Sequence, residues 1–153
     1  MIYSKTCEYA VRALSYLASK PLHTPTNISE VSEETGLPGP YISKIFRSLT
    51  KAGVLKSVRG VAGGFSLNKR PQEISLMDVV SAIDAMTPWK RCAMGLDECR
   101  DDNACPAHEI WKRTMFKMVE KFEKTRLSSL TKKIEKFRYR ELERSRLNVL
   151  MKI

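Results

Sequence analysis

Residues 27–53 read NISEVSEETGLPGPYISKIFRSLTKAG, and they predict two short helices joined by a tight turn. Asn27 stands three residues before Glu30, the spacing at which a capping side chain and an acid satisfy the first free amides of a helix. A helix over Ile28–Thr35 follows, and Gly36 supplies the left-handed residue that closes it. Beyond Leu37-Pro38-Gly39-Pro40, the apolar residues Tyr41, Ile42, Ile45, Phe46 and Leu49 set out a second helix, which Gly53 ends. Two short helices around a glycine turn make a helix-turn-helix.

The flanks extend this unit in both directions. Upstream, Ala10, Ala13, Leu14, Leu17 and Ala18 recur at helical spacing within Thr6–Ser19, and Lys20-Pro21 stops that helix. Downstream, Val54–Val58 and Phe65-Ser66-Leu67 have strand character, and the glycines between them permit a hairpin turn. A hairpin directly after a helix-turn-helix is a wing. Ser75 and Asp78 repeat the capping spacing and start a helix through Leu76, Val79, Val80 and Ile83 that closes the core. The expected fold is mainly α with a small β-wing: a winged helix-turn-helix over residues 1–85, followed by a long dimerisation helix.

Between the two lies an acidic, cysteine-rich loop, residues 86–107. Cys92, Cys99 and Cys105 are separated by six and then five residues, and His108 follows three residues later. Three thiolates and an imidazole are soft donors suited to zinc, copper(I) or an iron-sulfur centre. The tight Cys-x2-Cys grip usual at small zinc sites is missing, and the wide spacing suits a bulkier cluster better. A zinc site, or a thiol-redox site without a cluster, is the alternative.

A helix over residues 106–130 should follow, with Ile110, Trp111, Met115, Met118, Val119 and Phe122 on one side. An apolar stripe placed after a completed core needs a cover, and the same helix of a second copy supplies one in a two-fold homodimer; packing on its own domain is the rival arrangement. Residues 131–153 carry eight basic residues against three glutamates, with helical spacing only at Ile134, Phe137 and Leu142. They read as a basic tail or a frayed helix.

Charge placement points to the partner. The net charge is +10, and the stretch from Pro38 to Arg70 holds seven basic residues and no acid, the footprint expected of a face for phosphates. In a helix-turn-helix the second helix enters the major groove amino end first, which makes Pro40, Tyr41, Ser43, Lys44 and Arg47, with Lys51 at its far end, the candidates for a double-stranded DNA operator. Arg59 at the wing tip is placed for the minor groove or for a phosphate. A dimer would read two half-sites about one helical turn apart. No apolar run long enough to span a bilayer is present, and Lys5, Glu8 and Arg12 interrupt the amino terminus, so neither membrane contact nor export is expected. A cytoplasmic location, where thiols are kept reduced, follows and disfavours disulfides. An enzyme is not expected either, because neither histidine has a nearby acid partner and the Gly63-Gly64 pair belongs to the wing, with no phosphate-binding glycine loop before a helix.

With these pieces in place the chain resembles the IscR and NsrR type of winged-helix transcriptional regulators, of the Rrf family. The resemblance rests on Tyr3-Ser4-Lys5 with Glu8-Tyr9-Ala10-Val11-Arg12-Ala13-Leu14, on Tyr41-Ile42-Ser43-Lys44-Ile45-Phe46, on Leu49-Thr50-Lys51-Ala52-Gly53-Val54-Leu55, and on the wing Ser57-Val58-Arg59-Gly60 with Gly63-Gly64-Phe65. It implies a homodimer paired through a long carboxy-terminal helix, with an iron-sulfur cluster, [2Fe-2S] or [4Fe-4S], in the loop before it. On that resemblance DNA binding responds to redox state, iron or cluster status, or nitric oxide. Cys92, Cys99 and Cys105 match the family's ligand set, although the first pair has one more intervening residue than the commonest pattern. The fourth ligand stays open between His108, where the IscR type places its histidine, and Glu8, where other members lend a carboxylate to the opposite subunit. Cys7 is a further thiol beside Glu8.

Overall fold

The computed structural model describes residues 3–84 and 91–134. Six helices and one hairpin follow each other along them.

Helix α1 (Lys5–Ala18) begins at Ser4, whose side chain accepts a hydrogen bond from the Cys7 amide at 3.1 Å. It buries Ala10, Ala13, Leu14 and Leu17. The turn unit forms over the expected residues: α2 (Ile28–Thr35) is capped by Asn27, which accepts from the Glu30 amide at 2.8 Å, and it ends at Gly36 with φ 69°, but the Glu30 carboxylate, expected to complete the cap, accepts from the Tyr16 hydroxyl and the Lys20 ammonium instead. Helix α3 (Gly39–Lys51) starts two residues ahead of Tyr41, with Pro40 in its first turn, where its missing N–H costs nothing. Ile42, Ile45, Phe46 and Leu49 form its buried face. Gly53 at φ 72° reverses the chain, and the Val54 amide donates to the Leu49 carbonyl at 2.9 Å. Val54 therefore still belongs to the turn, and strand β1 is Leu55–Val58.

Strand β2 (Gly64–Leu67) pairs antiparallel with β1 in the register Leu55↔Leu67 to Val58↔Gly64. The hairpin is tied back to the domain by a bridge in which Thr26 and Phe65 exchange both backbone hydrogen bonds at 2.9 Å. A Cβ at Gly64 would sit 2.5 Å from the Thr26 carbonyl oxygen, so that bridge needs glycine beside it. Helix α4 (Leu76–Asp84) carries the anticipated reciprocal cap, with Ser75 and Asp78 bonding each other's amides at 2.8 and 3.0 Å.

The expectation of one helix over 106–130 is corrected. Helix α5 (His108–Lys124) and helix α6 (Leu127–Ile134) are separate. The cause is backbone pairing far along the chain: the Leu76 amide donates to Thr125 O and the Leu127 amide to Ile74 O, both at 2.8 Å, which forces Thr125 into extended backbone. Leu127 is buried in the core and α6 packs on α1. Pro106 lies before α5, in a turn closed by the His108 amide and the Cys105 carbonyl at 2.9 Å. Met115, Met118, Val119 and Phe122 turn onto their own core, Phe122 meeting the Tyr3 ring at 6.0 Å between centroids. Ile110 and Phe116 remain 72% and 73% exposed. Apart from Thr131–Ile134, which are helical, the basic tail expected over 131–153 lies outside the described residues, as do residues 86–90 of the loop.

Candidate nucleic-acid interface and metal centre

On α3 the buried side holds the helix and the opposite side presents the polar candidates. Pro40, Lys44, Arg47 and Lys51 are exposed. Tyr41 is 55% exposed, with its ring edge-on to Tyr9 at 6.2 Å, so its hydroxyl is free to reach a phosphate while the ring stays anchored. Ser43 is half-buried and donates to the Gly39 carbonyl at 3.1 Å, which leaves its oxygen lone pairs to accept from a base edge. Arg59 is exposed at the wing turn beside Gly60, whose φ of 109° makes the turn possible.

In the loop the donors meet in two pairs. Cys92 Sγ lies 3.4 Å from Cys105 Sγ, and Cys99 Sγ lies 3.3 Å from His108 Nδ1. His108, the first residue of α5, is only 4% exposed, and Cys92 is buried too. The Met94 amide points at Cys92 Sγ at 3.4 Å and lowers that thiol's pKa, with further lowering from Cys105 and from the amides of Leu96 and Gly95. Desolvation raises the Cys99 pKa, and the neighbouring Cys92 and Cys105 raise it further, the signature of several thiols crowded into one site. Among the described residues no three His, Cys, Asp or Glu donors close around a single ion. Two sulfurs on one tetrahedral metal, each about 2.3 Å away, lie about 3.8 Å apart, close to the spacing seen within each pair.

The two amino-terminal candidates stand elsewhere. Glu8 is on α1, with the Lys5 ammonium 2.8 and 2.7 Å from its two carboxylate oxygens. Cys7 is fully buried, and burial followed by the nearby Asp84 charge pushes its thiol up to about 12, so it holds its proton where a ligand must lose it.

Two residues at the site were not singled out from sequence. Asp101 Oδ1 accepts from His108 Nε2 at 2.8 Å and from Lys112 Nζ at 2.6 Å, which corrects the expectation that neither histidine has an acid partner: the loop folds back onto the start of α5. The signal was present: His108 and Lys112 are four residues apart on one helix, so a loop acid between them meets both. Glu98 and Cys99 of the loop and Trp111, Lys112, Met115, Phe116 and Val119 of α5 line an open groove of about 430 Å³ beside the cysteines.

The family model of Rrf2, described as an iron-dependent transcriptional regulator, matches residues 3–133. The chain belongs to the Rrf2 family. Among Rrf2 relatives it is 31% identical over 132 residues to an HTH-type transcriptional regulator of Aquifex aeolicus, covering 85% of this chain and 91% of that one. It is 34% identical over 104 residues to the IscR of Aliivibrio salmonicida, a match covering 68% of this chain but 61% of that relative. Of solved structures, CymR, the global cysteine regulator of B. subtilis, superposes with a TM-score of 0.71 at 25% identity over 84% of this chain and 95% of that one. The T. potens IscR gives 0.66 at 24% identity over 87% and 88%, a likeness of fold. The Rrf2 chain described here is thus a winged-helix DNA-binding transcriptional regulator and not an enzyme. None of its described helices is long and apolar enough to cross a membrane.

Proposed function

We propose that this regulator reads a DNA operator as a homodimer under the control of an iron-sulfur cluster held by Cys92, Cys99, Cys105 and His108. The observation that carries the reading is the pairing of donors, Cys92 with Cys105 and Cys99 with His108, at spacings suited to two tetrahedral metals. His108 is preferred to Glu8 as fourth ligand because it is buried beside Cys99, whereas Glu8 is engaged by Lys5 on α1. Bound there, a cluster with one histidine ligand supplies a redox-active centre of higher potential than an all-cysteine site.

The rest is done by the chain. His108 opens α5, the far end of α5 is clamped to residues 74–76, and α6 continues onto α1, which packs against α3. A ligand that fixes the loop thereby fixes the frame on which the reading helix stands. Ile110 and Phe116, left uncovered on α5, are the apolar residues a second copy would cover. A small change in the angle between two reading helices disturbs base contacts more than phosphate attraction.

Anaerobic purification followed by an absorbance spectrum and iron, sulfide and zinc analysis tests the reading. Iron with acid-labile sulfide, lost on Cys99→Ser or His108→Ala, is the expected result. Colourless protein with one zinc per chain overturns it. In salt-matched binding, cluster-loaded and cluster-free protein should differ more on the operator than on random DNA.

One observation favours a second reading, a thiol-redox switch without a cluster. Cys92 and Cys105 are in sulfur contact, and the amides around Cys92 favour its thiolate, the attacking form in disulfide exchange. Iron-free protein in which oxidised glutathione joins these two thiols, reversibly and with a change in operator affinity, would establish it.

A further inference from the structure

His108 has two ring nitrogens and only one faces Cys99. Which nitrogen carries the proton decides whether the ring offers a lone pair there or an N–H. Asp101 settles that choice. An ionised carboxylate accepts hydrogen bonds and has none to give, so the 2.8 Å contact with Nε2 requires the proton on Nε2. A neutral ring then presents its lone pair at Nδ1, 3.3 Å from Cys99 Sγ. Lys112, one helical turn beyond His108, places its ammonium 2.6 Å from the same carboxylate oxygen.

We propose that Asp101, held in place by Lys112, is a positioning residue that fixes His108 in the Nε2–H tautomer and aims Nδ1 as the fourth donor of the cysteine site. The inference deepens the cluster reading and rests on it for the identity of what Nδ1 meets. Its structural rival is an ordinary surface ion pair. Asp101 and Lys112 are well exposed, and such pairs contribute little to stability. The two roles therefore separate: a positioning role leaves the melting temperature alone and moves the histidine.

The tautomer is read directly from imidazole ¹⁵N shifts of the metal-free full-length protein. The chain has two histidines, so a His23→Asn background assigns His108. Wild type is expected to show a single Nε2–H tautomer. Asp101→Ala should mix the tautomers without lowering the melting temperature, Asp101→Asn should restore the single form because the amide oxygen accepts the same bond, and Lys112→Met should have a smaller effect than Asp101→Ala. In iron-loaded protein, Asp101→Ala should lose iron to a chelator about 10–100-fold faster, the usual range for an outer partner of a metal-binding histidine. Asp101→Asn should keep its iron and shift the reduction potential upward, since one negative charge beside the ligand is gone. Unchanged ¹⁵N shifts and iron loss in Asp101→Ala overturn the proposal. Wild-type protein that takes up no iron overturns the cluster reading instead, and the metal-free spectra still decide for or against Asp101.

Discussion

Helix α3 and the stretch of loop from Cys92 to Cys105 are of similar length, and they are held by different forces. Four side chains of α3, Ile42, Ile45, Phe46 and Leu49, are buried in the core. Between Cys92 and Cys105 only Cys92 itself is buried. Burial of a Leu, Ile or Phe side chain contributes about 1.5–3 kcal/mol, so α3 is rigid before DNA arrives. The loop relies on short-range bonds: the Cys92 and Leu96 backbones at 3.2 Å, Gly95 with Cys92 at 3.1 Å, and the sulfur and imidazole contacts. The contrast suits the proposed function, in which α3 reads DNA from a fixed face and the loop is a segment whose order depends on what it binds.

The sharpest way to break this contrast is through the core. Leu49→Ala should cost about 2–5 kcal/mol in urea unfolding, because it opens a cavity where α3 meets its neighbours. A value under about 1 kcal/mol would show that the reading half is as loose as the loop. Gly64→Ala comes next, at roughly 1–3 kcal/mol, since its new Cβ meets the Thr26 backbone that ties the wing to the domain. Operator binding should weaken with it as the wing carrying Arg59 loses its anchor.

These differences explain what could be read in advance. Caps at Asn27, Gly36 and Ser75, and the faces of α2, α3 and α4, depend on residues a few positions apart, and they appear where the sequence placed them. The break at Thr125 depends on residues 74–76, some fifty positions away, and helical periodicity carries no trace of such a pairing. The same holds for the partition of the apolar stripe on α5, where Met115, Met118, Val119 and Phe122 serve their own core. In the loop, the spacing of Cys92, Cys99, Cys105 and His108 does not say which donors pair, and the structure brings Cys92 to Cys105 and Cys99 to His108. By spacing Asp101 counts only as one more acid, because its role depends on the side chains of α5.

Arg47→Ala tests the exposed side of α3. Its removal should cost about 1–3 kcal/mol of operator affinity if it reads a base; if it meets only a phosphate, binding weakens evenly across sequences and the salt slope falls by about 1. Urea unfolding should hardly change in either case, because the side chain lies outside the core. Iron removal addresses the loop in turn. A chelator should speed tryptic cleavage after Arg91 or Arg100 by about tenfold, equivalent to about 1.4 kcal/mol of lost local order, and leave α1 to α4 intact. Global unfolding on iron removal would mean that the two regions are one cooperative unit.

The smallest effect is expected from another leucine-to-alanine change, placed in the loop instead of the core. Leu96→Ala removes an apolar side chain from the loop, but Leu96 is 44% exposed and its contribution there is made by backbone: its carbonyl accepts from the Cys92 amide and its amide helps to lower the Cys92 pKa. Alanine keeps both groups. The change should stay within about 0.5 kcal/mol in unfolding, and iron content should match wild type. A larger loss would mean that the Leu96 side chain is covered in the working molecule, by the other subunit or by DNA, and repeating the measurement at low protein concentration separates those two covers. The loop would then owe part of its order to apolar burial after all, and its contrast with α3 would be one of degree.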